Sequence, residues 1–296
     1  MEGLPETVLI DAARGGLRRI VIATAQADAE IYLQGAHVTH FQPRGRKPVL
    51  FMSEKSSFEL GKPIRGGVPI CFPWFGPRQD GQRGPAHGFA RLMEWELMTA
   101  KQATDGSVEI GLRLASSEAT RKEWDGEFEV EYWVKISGIL GLELRVRNMS
   151  TKPMRFEEAL HTYLLVSDVR QVGIEGLEGA SYVDRVGVAR TETETAAPIR
   201  ITSETDRIYM DTRSTCVIHD PGWQRRLLVE KTGSDTTVVW NPWIAKAKAM
   251  PDFGDDEWPS MLCIEASNVC EQAVTLAHGQ LHSMKAVVRS EQIRTI

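Results

Sequence analysis

The chain of 296 residues and 33.1 kDa is long enough for one large domain or two small ones. Its 42% hydrophobic and 25% charged residues suit an ordinary globular fold, and a formal net charge of −5 disfavours a nucleic-acid surface. No apolar run approaches the roughly 20 residues that span a bilayer as a helix, so no membrane partner is expected. The opening MEGLPETVLIDAARGG has no basic stretch leading into an apolar one, the mark of a secretory signal. Four cysteines, at 71, 216, 263 and 270, are too few for a disulfide framework in so long a chain, and CxxC is absent. A reduced, cytoplasmic protein is expected.

From Leu17 the chain reads as short strands broken by Gly, Asp and Pro: LRRIVIAT, AEIYLQ, AHVTHFQ and PVLFM. His37 and His40 lie three apart on the third strand and so point to opposite faces, which argues against a metal pair. Lys62–Arg91 is different in kind. Pro at 63, 69, 73, 77 and 85 and Gly at 66, 67, 76, 81, 84 and 88 rule out a helix or a central strand. Yet Ile70, Cys71, Phe72, Trp74 and Phe75 call for burial, and Arg65, Arg78, Arg83, Arg91 and His87 add cations and an imidazole. A long loop of this composition reads as the wall of a binding site, or more plainly as a plug at one end of a sheet.

Residues 89–99 then read as a strand, and 108–114 alternate as a half-buried one does. SSEATRKEW at 116–124 is the best helix candidate. Phe128–Ile136 and Leu140–Val146 alternate so regularly that an antiparallel hairpin with one apolar face is expected. Met154–Val166 reads as one strand with apolar even positions, Glu158 excepted, which sets His161 on the opposite face. RTETETAAP reads as an exposed loop. TDRIYMD, TCVIHD, RRLLVEK and TTVVWNPW read as strands, and MPDFGDDEWPS as a second loop. Met261–Ser267 alternates with Leu262, Ile264 and Ala266 on one face and Met261, Cys263 and Glu265 on the other. His278 and His282 have HxxxH spacing in a strand context that disfavours a helical zinc pair. Many short strands, one short helix and no internal repeat or linker imply an all-β sandwich or barrel, taken as a single domain over 1–296.

Dinucleotide, P-loop and GxSxG signatures are absent, and no His, Cys and Asp cluster has metal-ligand spacing, so neither a cofactor nor a metal is expected. What remains is His87, His161 and Glu265 dispersed on the chain, with arginines in the long loop. A histidine and a carboxylate that converge could move protons in two directions, Trp74 and Trp240 suit sugar faces, and arginines suit a phosphate. From the residues alone this is an acid–base site for a polar ligand, phosphorylated or not.

IRGGVPICFPWFGPR, HGFAR, FEEALHTYL, DRIY, VVWNPW, MPDFGDDEW and CIEASN, in this order, resemble the hexose-6-phosphate mutarotases (glucose-6-phosphate 1-epimerases), relatives of the aldose 1-epimerases such as galactose mutarotase. The resemblance runs from about Leu17 to nearly the C-terminus. It implies a large antiparallel β-sandwich of the galactose mutarotase-like type that interconverts the α and β anomers of glucose 6-phosphate. His161 would be the general acid at the ring oxygen and Glu265 the general base at the C1 hydroxyl. Ring opening, rotation about C1–C2 and reclosure would invert the anomeric centre without a cofactor. His87 would hydrogen-bond the sugar, Asp206 would position a hydroxyl with Asp211 a nearby competitor, and Arg65, Arg91 and Arg83 would hold the phosphate. Where the family often has Gln before the HGFAR histidine, this chain has Ala86. The partner implied is a small sugar phosphate, and the protein is expected to be a monomer. The alternatives are an aldose 1-epimerase acting on free sugars and a non-catalytic carbohydrate-binding protein of the same fold.

Overall fold

The strongest alternation in the sequence becomes the best-paired hairpin of the computed structural model, which describes residues 3–78 and 80–293. Phe128–Ile136 pairs antiparallel with Leu140–Asn148, Phe128 opposite Asn148 and Ile136 opposite Leu140. Val130, Tyr132, Val134, Leu142 and Leu144 are buried along one face. The other face carries cross-strand ion pairs such as Arg113 with Glu129 and Arg145 with Glu131. The hairpin sits in an eight-stranded sheet whose order is Gly173–Glu175, Cys216–Asp220, Arg225–Thr232, Leu281–Gln292, Leu140–Asn148, Phe128–Ile136, Val108–Ala115 and Glu96–Gln102.

A second eight-stranded sheet carries much of FEEALHTYL, DRIY, VVWNPW and CIEASN: it runs Arg190–Thr193, Ser181–Asp184, Thr205–Tyr209, Thr236–Asn241, Met261–Asn268, Glu158–Leu160 and Ile70–Cys71, with Tyr163–Leu165 also on Met261–Asn268. Its centre, Met261–Asn268, is buried at every position, so its two faces are both covered. One face meets the first sheet, where the Phe72 ring lies edge-on to Phe128 at 5.2 Å. Buried side chains from Val8 to Val288 join in one contiguous cluster between the sheets. A four-stranded sheet, Val8–Ala12 to His37–Pro43, and the pair Met154–Phe156 with Val274–Leu276 complete the strands. Every ladder between these strands is antiparallel, as expected for the all-β sandwich. Among the described residues no helix is long and apolar enough to cross a membrane.

The helix expected at 116–124 forms over Glu118–Glu123, because Ser117 caps it and exchanges hydrogen bonds with Thr120 in a capping box. Several expectations fail locally. Residues 89–99 are a 3-10 turn, Ala90–Leu92, before the strand Glu96–Gln102. PVLFM forms isolated bridges at Leu50 and Met52 and no continuous strand. RTETETAAP contributes an exposed edge strand, Arg190–Thr193, whose charged and polar side chains discourage pairing with another chain. Trp243–Ala249 is a helix that the short AKAKA run did not announce. Met154–Val166 is three strands, not one. Glu158, the apparent misfit on its apolar side, is fully buried against Asn268 and His282, whose nearest atoms lie 2.8 Å from its Oε1.

Candidate active site

The break in that stretch falls on His161. The Thr162 N–H donates to Leu160 O at 2.8 Å, closing a γ-turn with His161 at its apex. The His161 N–H donates to Pro69 O at 3.0 Å, which ties the turn to the Pro- and Gly-rich loop. The Ile264 N–H donates to Thr162 O at 3.2 Å, which ties it to the central strand. The two ties bring His161 and Glu265 together: His161 Nδ1 lies 3.3 Å from Glu265 Oε1, with the side chains 8% and 1% exposed. The Tyr163 ring stacks on the imidazole at 4.7 Å and Trp240 meets it edge-on at 6.0 Å.

The pair lies in a cleft of about 300 Å³ whose wall includes Arg65, His87, Arg185, Asp206, Trp240 and Lys246. The long loop supplies one side of it. Phe75 is held by its N–H on Glu157 Oε2 at 2.8 Å, and Trp74 by its indole N–H on Pro85 O at 2.9 Å. His87 and Gly88 follow with φ of 64° and 73°, and a Cβ on Gly88 would sit 2.0 Å from Phe72 O, so only glycine fits there. His87 Nδ1 accepts the Gly76 N–H at 3.2 Å. The other nitrogen, Nε2, therefore carries the proton and can donate to a ligand.

Burial sets the electrostatics. It pushes the Glu265 carboxyl well above the ordinary carboxylate range, with Asp206 adding to the effect and Arg185 and Arg91 opposing it. It drives the His161 imidazole well below its usual value, helped by His87, Arg65 and Arg91. His87 is lowered in the same way by burial and by Arg91, Arg65 and Arg185. Asp206 is raised by burial, with Arg185 and Lys246 opposing. Burial thus disfavours an imidazolium beside a carboxylate in the unliganded cleft and favours a neutral imidazole beside a carboxylic acid. One donor and one acceptor of protons on one small cleft is the chemical content of the site.

A family model for aldose 1-epimerase matches residues 18–289. The chain belongs to the aldose 1-epimerase family. A Cenchrus ciliaris protein described as "Putative glucose-6-phosphate 1-epimerase" is 38% identical over 276 residues, covering 90% of this chain and 82% of the relative. The solved structure of a Salmonella typhimurium protein described as "a putative mutarotase (YeaD)" superposes with a TM-score of 0.91 at 31% identity, covering 99% of this chain and 96% of that one. A galactose mutarotase-like protein from Clostridium acetobutylicum shares the fold alone, with a TM-score of 0.74 at 14% identity over 96% of this chain and 98% of its own.

Against this family background the placement of the expected residues is uneven. His161, Glu265, His87, Asp206 and Arg65 line the cleft, and Trp240 lines it too. Arg65 is also engaged elsewhere, its guanidinium held by Asp252 at 3.1 Å and by the Tyr163 hydroxyl at 2.8 Å. Arg91 is buried behind the wall, donating to Ala86 O at 2.8 Å, and is off the cleft lining. Arg83 is exposed on the loop and also off the lining. Asp211 is exposed, accepts a hydrogen bond from Gln272 and is off it as well. Trp74 packs against Phe89, with Arg78 over its ring, and turns away from the cleft. Two cations went unread in the sequence, Arg185 and Lys246. Arg185 lies beside Phe75 and, among the described residues, makes no ion pair, whereas Lys246 pairs with Glu204 at 2.9 Å. Arg185 follows DRIY's partner strand, and its N–H on Asp206 O at 2.8 Å is a long-range contact that no local pattern announces.

Proposed function

We propose that the protein is a hexose-6-phosphate mutarotase that acts on glucose 6-phosphate, a single-domain enzyme of the cytoplasm that works as a monomer. The observation that carries this reading is Arg185, a cleft arginine with no carboxylate partner among the described residues, on the same wall as the His161–Glu265 pair. A guanidinium left unpaired in a partly buried cleft suits a phosphate, which it can bind through two parallel hydrogen bonds. The name of the Cenchrus ciliaris relative supports the same substrate. A 300 Å³ cleft is at the small end of ligand pockets and suits one monosaccharide.

The reaction follows from the pair. His161 gives its proton to the ring oxygen as the C1–O5 bond breaks, and Glu265 takes the C1 hydroxyl proton as the carbonyl forms. Rotation about C1–C2 and the reverse transfers close the ring on the other face. In the unliganded cleft the proton favours Glu265, so substrate must move it to His161. The negative phosphate raises the imidazole, and a sugar hydroxyl donating to Glu265 favours its carboxylate. His87 Nε2–H donates to a sugar oxygen, and Asp206 accepts a hydroxyl.

A second reading, mutarotation of free sugars, is favoured by one observation: Arg65 and Lys246 are already neutralised by Asp252 and Glu204. Anomer exchange followed by NMR on glucose 6-phosphate, glucose and galactose separates the two. Acceleration only of the phosphorylated sugar supports the first, and acceleration only of free sugars replaces it with the second. Binding of sugar without acceleration of any exchange would leave a non-catalytic binder. Arg185→Ala should raise KM for glucose 6-phosphate about 10- to 100-fold with kcat little changed, the ~1.5–3 kcal/mol of a hydrogen bond to a charged group. An unchanged KM would remove Arg185 from the phosphate site.

The lowered imidazole also predicts a pH profile. A second proton enters the pair only well below the usual histidine range, because the folded-state value of His161 is depressed. Once corrected for the substrate phosphate, which titrates near about pH 6, kcat/KM should stay level as pH falls through about 6.5. An acid limb centred on the ordinary histidine value would show His161 to be solvated.

A further inference from the structure

The spacing of His161, Cys263 and Glu265 along the chain conceals a cluster that folding creates. Cys263 and Glu265 are two apart on Met261–Asn268 and so share a face, and the γ-turn delivers His161 to that face. One nitrogen, sulfur or oxygen from each residue lies within 4.8 Å of the others. The residues are 6%, 0% and 1% exposed. His161 Nδ1 and both Glu265 oxygens are buried without a hydrogen-bond partner among the described residues, and Cys263 is a free thiol. Buried polar atoms are normally satisfied, so three orphans at one point ask for a ligand. The 3.3 Å between His161 Nδ1 and Glu265 Oε1 lacks hydrogen-bond geometry. That one pair matches the roughly 3.3–3.7 Å between neighbouring ligand atoms around a tetrahedral zinc with bonds of about 2.0–2.3 Å, and the Cys263 sulfur, within 4.8 Å, closes on them when the metal binds.

We propose that His161, Cys263 and Glu265 form a three-ligand site for one thiophilic divalent cation such as zinc, and that its occupancy shuts off the acid–base pair. One nitrogen, one sulfur and one oxygen donor select zinc or cobalt over magnesium or calcium, which take oxygen ligands in larger number. The thiolate and carboxylate together neutralise the cation, and the open side of the cleft leaves its fourth position to water. Of the nearby cations, Arg65 is offset by Asp252, while Arg185 and Arg91, without an ion pair among the described residues, remain as opposing charges that the thiolate and carboxylate must outweigh. A bound metal takes the His161 lone pair and the Glu265 carboxylate, so it excludes the sugar. The site would make this enzyme a target of excess zinc, reversed by chelation.

Cobalt titration of the purified protein tests this without relying on turnover, so its result stands apart from the hexose phosphate reading. One equivalent of Co2+ should produce a thiolate-to-cobalt charge-transfer band in the near ultraviolet, displaced by Zn2+ and by glucose 6-phosphate. Cys263→Ala should abolish the band, and Cys270→Ala, which removes the exposed thiol, should leave it. Glu265→Gln, nearly isosteric and so safe for folding, should weaken Co2+ binding at least about tenfold, the scale on which metal sites respond to altered ligand shells. No band in the wild-type protein, or a band that survives Cys263→Ala or is unmoved by Glu265→Gln, would overturn the proposal.

Discussion

Glu265→Gln and His161→Gln should each lower kcat for mutarotation of glucose 6-phosphate by about 10²–10⁴-fold, the range set by loss of one general acid or base. Glutamine is chosen at both positions because the site is packed. Tyr163 stacks on the imidazole at 4.7 Å, and Glu265 is 1% exposed, so truncation to alanine would mix a cavity with the chemistry. Glu265→Gln should fold about as stably as the parent, since a neutral amide of nearly the same shape replaces a buried carboxyl whose two oxygens already lack partners. Binding measured by calorimetry should change far less than kcat, because the phosphate contacts and His87 remain. The double variant should be scarcely slower than the poorer single one, since the two groups act as one unit. Multiplicative losses in the double variant would mean independent roles. Equal losses of binding and turnover would mean that the pair holds the sugar and does not move protons.

Much of the architecture was legible because the first sheet has one wet face. The alternation of Phe128–Ile136 and Leu140–Asn148 reports that asymmetry directly. The second sheet was less legible for the same reason reversed. Met261–Asn268 is buried on both faces, so its alternation separates Glu265 from Leu262, Ile264 and Ala266 without showing that both faces are covered. His161 was singled out by a strand period that in fact breaks at His161 itself. Its placement came from the γ-turn and the Pro69 tie, both consequences of long-range packing. The cations were hardest. Arg65 and Arg91 look equivalent in the loop, yet one lines the cleft and the other backs it. Arg185 and Lys246 sit in unpatterned segments and reach the cleft only through the fold. The Cys263 contact fails as a sequence signal because His161 and Cys263 are a hundred residues apart, outside any metal-ligand spacing.

The largest stability effect is expected away from the chemistry, at Asp220 and Arg225. Their side chains are 0% and 2% exposed, and Arg225 Nε lies 3.1 Å from Asp220 Oδ2. The guanidinium also donates to Pro48 O at 2.9 Å and to Leu165 O, while Asp220 accepts from Ser167. Arg225 belongs to one eight-stranded sheet, and Leu165 ends the short strand that leaves the His161 turn in the other. The pair is therefore a clamp between the sheets at the base of the site. Asp220→Ala strands a buried guanidinium and should cost about 3–5 kcal/mol by urea denaturation. Asp220→Leu with Arg225→Met removes both charges, and replacing a buried pair by apolar groups is often nearly neutral. It should therefore recover much of that loss, but not all, because Pro48 O and Leu165 O lose their donors. If the double variant regains stability yet turns over slowly, the clamp's role is to hold the strand after His161 in place. If it regains both, the charges serve stability alone, and the acid–base geometry is fixed by the Pro69 and Ile264 ties to the turn.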